Sequence, residues 1–258
     1  MSTRGIWGLG KNGEFKMTYD QWDAYPMVLG RNVLAFAASF DADQLDAFFD
    51  KLTLVDYKAV PTAEETALVK RTAQLSREHK DDRFMPPEQG IERRVLEMMR
   101  GLPDFHLQMP GGDAMNYYKL FADTQGDLGF YAQIAADDSI DRFPFMDYLA
   151  YSVSGECQWI WIINLSAKAV EVWCAADDAP VRDGGIQLPI KLVRAIPIDA
   201  IDIDQVDEIA AEIWAEVYPD AADDAEEPEL VFSFGPDAGP GFELDRRSDE
   251  TKDGGDLR

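Results

Sequence analysis

The chain is poor in the residues that most often do chemistry or staple small folds. Of 258 residues, two are Cys and two are His. Cys157 and Cys174 are too few for a disulfide framework, and their apolar context predicts buried thiols. His79 and His106 are isolated, and neither makes a zinc-ligand spacing with the cysteines. Cations are scarce as well: 24 Lys+Arg stand against 49 Asp+Glu, for a formal net charge of -25. Such a surface repels phosphates, so direct nucleic-acid binding and attraction to anionic membranes are excluded. No run approaches the ~18 apolar residues of a membrane span. Arg4 is followed by Gly5-Ile6-Trp7-Gly8 and a charged turn, not by a signal-peptide core. The expectation is a cytoplasmic protein away from the membrane. Walker A, Gly-x-Ser-x-Gly and internal repeats are missing. Gly8-x-Gly10-x-x-Gly13 has dinucleotide-fingerprint spacing but falls in a hairpin, so it is set aside. No cofactor and no metal is expected.

What is present is a core. Hydrophobic residues make up 46% and aromatics 11%, enough for a globular domain. "GIWGLGKNGEFKMTY" reads as a β-hairpin around Asn12-Gly13. Pro26 ends the extended segment and suits the first turn of a helix. Leu29, Val33, Phe36 and Phe40 then give that helix one buried face. Asp41 or Asp43 caps the next helix, striped by Leu45, Phe48, Phe49 and Leu52. Thr62 to Glu65 has capping-box spacing, predicting a third helix to about Leu75. Pro86-Pro87 starts a fourth, reaching Gly101, and a short helix follows from about Asp113. "CQWIWIINLSAKAVEVWCA" is the strongest strand signal. Trp159, Trp161 and Ile163 lie on one face and Ile160 and Ile162 on the other, the pattern of a central strand covered on both sides. "KLVRAIPI" adds a strand, and Val206, Ile209, Ile213 and Val217 set the register of a closing helix. The fold class expected is α+β: a small, mainly antiparallel sheet (N-terminal hairpin, Trp-rich hairpin, later strand) covered by helices, as one domain over residues 2–219. Residues 220–258 hold 13 acidic and four basic residues and read as a disordered acidic tail.

Two places carry candidate chemistry. With Met1 removed, Ser2 leads directly into a strand, as in N-terminal-nucleophile hydrolases, where the α-amino group serves as base for the hydroxyl. The second is "YDQWDAYP", where the hairpin brings Arg4 towards Tyr19, Asp20, Gln21, Trp22, Asp23 and Tyr25. Two carboxylates three apart among Tyr and Trp suit an acid/base pair, a cation site or a polar recognition pocket. The structural alternative is that Asp20 or Asp23 caps the helix while Trp22 and Tyr25 pack.

Thr3, Arg4, Tyr19, Gln21, Trp22, Asp23, Tyr25, Pro26 and Gly30 also carry a resemblance. Many uncharacterised bacterial, phage and fungal proteins begin Met-(Ser/Gly/Cys)-Thr-Arg and continue through a hairpin to Tyr-x-(His/Gln)-(Trp/Tyr)-Asp-x-Tyr-Pro-x-x-(Leu/x)-Gly. The segments "CQWIWIINLSAKAVEVW" and "PIKLVRAIPIDAI" are similar to later segments of that group, so the resemblance spans roughly residues 2 to 201. It brings no established activity. It implies that residues 19–26 are a signature, and Gln21, where His is frequent, points to hydrogen bonding over proton transfer. The reading that follows is a binding or interaction protein with its recognition site at residues 19–26 and a small molecule or protein as partner. The alternatives are a Ser2 amide hydrolase and an acidic decoy of a nucleic-acid-binding protein.

Overall fold

Asn12 and Gly13 both take positive φ, 52° and 83°, the backbone of a tight primed turn that matches strand twist. They join β1 (Gly5–Lys11) to β2 (Glu14–Asp20) with no slip in register, from Lys11 opposite Glu14 to Gly5 opposite Asp20. The computed structural model describes residues 4–20, 24–79, 81–84, 115–122, 124, 126–150, 157–175 and 190–219. The Trp-rich segment forms the second hairpin, β5 (Trp159–Asn164) with β6 (Ala169–Ala175), and β7 (Ile190–Pro197) follows on β6. The five strands lie in the order β2-β1-β5-β6-β7; β1 and β5 run parallel and the other neighbours antiparallel. The expected sheet is therefore present, with β5 at its centre, and the fold is α+β.

Helices cover one face. Pro26 opens a wide first turn, Pro26–Gly30, that runs directly into α1 (Arg31–Ser39). The expectation of one buried face on α1 is too modest: Asn32 to Ala37 are buried all round, because the sheet, other helices and a 3-10 turn surround it. The next two helices have the caps read from sequence. Asp41 and Gln44 form a capping box on α2 (Ala42–Lys51), and Thr62 and Glu65 form one on α3 (Ala63–Glu78). In each, a side-chain oxygen satisfies an N–H that the helix leaves without a partner. α4 (Tyr117–Leu120) is short, α5 (Leu128–Ala136) is almost wholly buried, and α6 (Val206–Val217) closes the fold on Val206 and Ile213.

Three elements have no counterpart in the sequence reading: α5, β3 (Leu52–Val55) and β4 (Phe143–Met146), the last two paired in parallel as a separate two-stranded sheet. "LTLV" and "FPFM" are too short to show a period, and Pro144 argues against a strand. In "LGFYAQIAA" nearly every side chain is buried, so the amphipathic signal of a surface helix is missing.

The chain divides into two units, Met1–Ala222 and Asp223–Arg258, and every described residue belongs to the first. The helix expected over 86–101 and the acidic tail from 220 lie outside the described residues, whereas the short helix expected from about Asp113 is α4. Among the described residues no helix is long and apolar enough to cross a membrane. Cys157 and Cys174 are buried free thiols, as expected.

Candidate functional site

Side chains alternate along a strand, and that alternation separates Tyr19 from Asp20. Tyr19 and Asp20, the last two residues of β2, point to opposite faces of the sheet. Tyr19 packs outward with Ile6, Met17, Cys157 and Ile160. Its ring stacks on Tyr148 at 5.2 Å, and Tyr148 stacks on Tyr57 at 5.0 Å. Burial, reinforced by the neighbouring Tyr118, Tyr57, Tyr19 and Asp56, raises the Tyr148 phenol far above the usual tyrosine range.

Asp20 faces inward with Thr18, two residues before it. Trp7 is the cross-strand partner of Thr18 and shares that face. All three are nearly solvent-free, Asp20 at 4% exposure. The turn that starts α5 closes over them. Gly126 has φ 73°, and a Cβ there would lie 2.7 Å from the Asp20 carboxylate, so this close approach needs glycine. The next residue, Asp127, is the N-cap of α5, accepting from the Phe130 N–H at 3.1 Å. Asp20 thus sits by the positive end of a helix, where a carboxylate is favoured. Tyr131, on the first turns of α5, meets Trp7 edge-on at 4.9 Å. Burial first, then Asp127 and Asp20, raises its phenol far above the ordinary range, and the Thr18 hydroxyl pulls it back in part. Tyr131 is therefore a neutral hydroxyl at any physiological pH.

Two polar atoms in this cluster are unusual. Trp7 Nε1 and Thr18 Oγ1 are buried and reach hydrogen-bond geometry with no described residue; Thr18 and Tyr131 lie close without completing a bond. Native interiors satisfy nearly all such groups, and an unmade hydrogen bond costs about 1–3 kcal/mol. The arrangement offers an indole donor, two hydroxyls and a carboxylate within one apolar shell.

Residues 24–30 serve the fold. Trp161 Nε1 donates to the Ala24 carbonyl at 3.0 Å, and a Cβ on Gly30 would overlap the Trp161 ring. Tyr25 packs edge-on against Trp214 of α6 at 5.8 Å. Tyr25 is also the residue before the first helical turn, and no side chain caps that turn. Pro26 at the first position starts the helix, because its fixed φ suits the helix and it has no N–H to satisfy. Arg4 is exposed and precedes Gly5, the register partner of Asp20, with its carbonyl accepting from the Gln158 N–H at 2.9 Å.

Of the residues singled out from sequence, Asp20 belongs to the buried cluster, Tyr19 to the outer tyrosine stack and Tyr25 to the helix start. Ser2, Gln21, Trp22 and Asp23 lie outside the described residues. Trp7, Thr18, Gly126 and Tyr131 were not singled out. The turn signal in "DTQGD" was legible, but nothing local to it points to a residue over a hundred positions earlier. Among the described residues no group of three or more His, Cys, Asp or Glu is placed to hold a metal ion. Comparison with known proteins finds no match, whether to a family model, a curated protein or a solved structure.

Proposed function

We propose that the chain is a cytoplasmic binding protein whose recognition site is the polar end of the first hairpin, with Asp20 as its anchoring carboxylate. One observation carries this reading: among the described residues Trp7 Nε1 and Thr18 Oγ1 find no hydrogen-bond partner, though both are buried beside a nearly buried carboxylate. A fold gains nothing from leaving these two groups unsatisfied, whereas a ligand with an acceptor for the indole and a polar group for the Thr18 hydroxyl would satisfy them, and a cationic group on it would be drawn by the charge of Asp20. The neutral Tyr131 hydroxyl adds a donor or acceptor beside them. The ligand class that fits is a small amine or guanidine that also bears an acceptor, free or as the side chain of a protein partner. A carboxylate at this depth favours a cation over a phosphate, in keeping with the acidic surface.

The test is a thermal-shift panel of amino acids, polyamines, argininamide and guanidine on the full chain. At least one cationic compound should raise the Tm of the wild type and leave Asp20→Asn unshifted. Thr18→Val, nearly isosteric, should fold with unchanged or greater stability while weakening that response. The reading fails if no compound shifts the wild type, or if the shift survives in Asp20→Asn. It also fails if Thr18→Val destabilises the protein, since the hydroxyl would then be part of the fold.

A further inference from the structure

A chain with about two acidic residues for each basic one has carboxylates available for its cations, and most described cations are engaged. Lys11 bridges Asp46 and Asp50, Arg31 pairs with Asp207, Arg83 with Asp81, and Arg194 with Glu212 and Glu216. Lys16 and Lys51 donate to backbone carbonyls that include the C-terminal ends of helices. Against that pattern, Lys70 and Arg77, like Arg71, Lys168 and Lys191, make no side-chain ion pair or hydrogen bond with any described residue. Both are exposed, both are on α3, and both line one groove of about 360 Å3 between α3 and the short α4. Lys119 of α4 lines the opposite wall. Seven residues of helix separate Lys70 from Arg77 by ~10 Å and bring them to one face. Between them lies an apolar strip that includes Ala73 and Leu120, with Met115 at its margin exposing 43% of its surface. The nearby carboxylate of Glu78 already accepts from Gln74 at 2.7 Å.

We infer that this groove is a docking site for an acidic peptide segment of a partner protein, one with carboxylates flanking a short apolar side chain. Lys70 and Arg77, ~10 Å apart, match carboxylates about three residues apart in an extended segment, and the strip between them matches an apolar residue. Met115 supplies an adaptable contact, since its unbranched thioether fits irregular partners. The chain's overall negative charge does not prevent this, because charges beyond ~8–10 Å are largely screened at physiological salt while those within the groove act directly. Nucleic acid offers the wrong combination: the groove pairs charge with an apolar strip, and the surrounding surface repels a continuous phosphate backbone.

Fluorescence anisotropy on the full chain tests it with two labelled probes, the peptide Glu-Leu-Glu-Glu-Leu-Glu and hexaglutamate. The mixed peptide should bind more tightly than hexaglutamate, weaken as salt rises, and lose at least tenfold in affinity in the K70E/R77E double variant. K70Q/R77Q should lose less. K168E/K191E, which reverses two exposed cations elsewhere, should bind as the wild type does. Circular dichroism should be unchanged in all three, because the substituted side chains are exposed. The inference is overturned if K70E/R77E binds normally. It is also overturned if hexaglutamate or inorganic pyrophosphate competes as well as the mixed peptide, which would make the groove a simple anion site. Absence of binding to both peptides at low salt overturns it as well.

Discussion

The two faces of the five-stranded sheet are built to different depths, and Tyr19 and Asp20 stand one on each. The inner face carries Trp7, Trp159, Trp161 and Ile163 under α1, α5 and α6 and belongs to the main core. The outer face has a small cluster, Ile6, Met17, Tyr19, Cys157 and Ile160, edged by Phe15, Ile162, Trp173 and the tyrosine stack. The buried polar groups that find no partner among the described residues lie on the deep face, not on the thin one. A large core tolerates a few unsatisfied atoms that a thin cluster would not survive, because net stability is only about 5–15 kcal/mol. Unsatisfied polar atoms, which cost stability, are therefore best borne where burial is most plentiful.

Adjacent residues of β5 give the most forceful way to break this comparison. Trp161→Ala on the inner face should cost about 3–5 kcal/mol, since it also removes the donor to Ala24 and the ring beneath Gly30. Ile160→Ala, one residue along on the outer face, should cost about 2 kcal/mol. Urea unfolding of both variants measures this, and equal losses would mean that the two faces are equally deep. A smaller effect is expected at the α5 turn. Gly126→Ala should cost about 1–3 kcal/mol for a side chain at positive φ pressed against a carboxylate. Part of that loss should vanish in an Asp20→Ala background, where the obstructing oxygens are gone. Strict additivity of the two substitutions would show that Asp20 does not hold the turn. The smallest effect concerns the thiols. Cys157 lies on the outer face with its pKa pushed up to about 12 by burial, and Cys174 lies in the inner core. Both should react slowly with iodoacetamide in the native protein, with Cys157 ahead because fewer contacts must open to expose it. Identical rates would mean that the faces open as one unit.

The sheet was legible because its signals are local. Asn12-Gly13 specifies a turn, and Trp159 to Ile163 alternate between two apolar faces, which fits the centre of a sheet. The caps at Asp41 and Thr62 were legible for the same reason, since each box is complete within four residues. α5 was not, because burial on all sides erases the periodicity by which a helix is recognised. The candidate site was half legible. Asp20 stood out by composition, but its neighbours Thr18 and Trp7 look like ordinary strand residues until the register pairs them. Tyr131 and Gly126 come to Asp20 only through tertiary packing. A local rule separates two of the residues singled out: consecutive strand residues face opposite ways, so Tyr19 and Asp20 serve different surroundings.

The tips of the two hairpins meet. The Asn12 N–H donates to Ser166 Oγ at 2.7 Å, across 154 positions of sequence, and the Leu165 N–H donates to the Gly10 carbonyl at 2.8 Å. Each hairpin forms from neighbours and needs only microseconds to close. The parallel join between β1 and β5 is different: it forms only once the long helical excursion between them has been gathered in. The entropy of closing that loop is lost before the join returns any contact energy. Sheet closure is thus the slow event in the life of this chain. Until it happens, the unpaired edges of β1 and β5 are exposed to other chains. The clasp at the tips marks the moment at which that exposure ends.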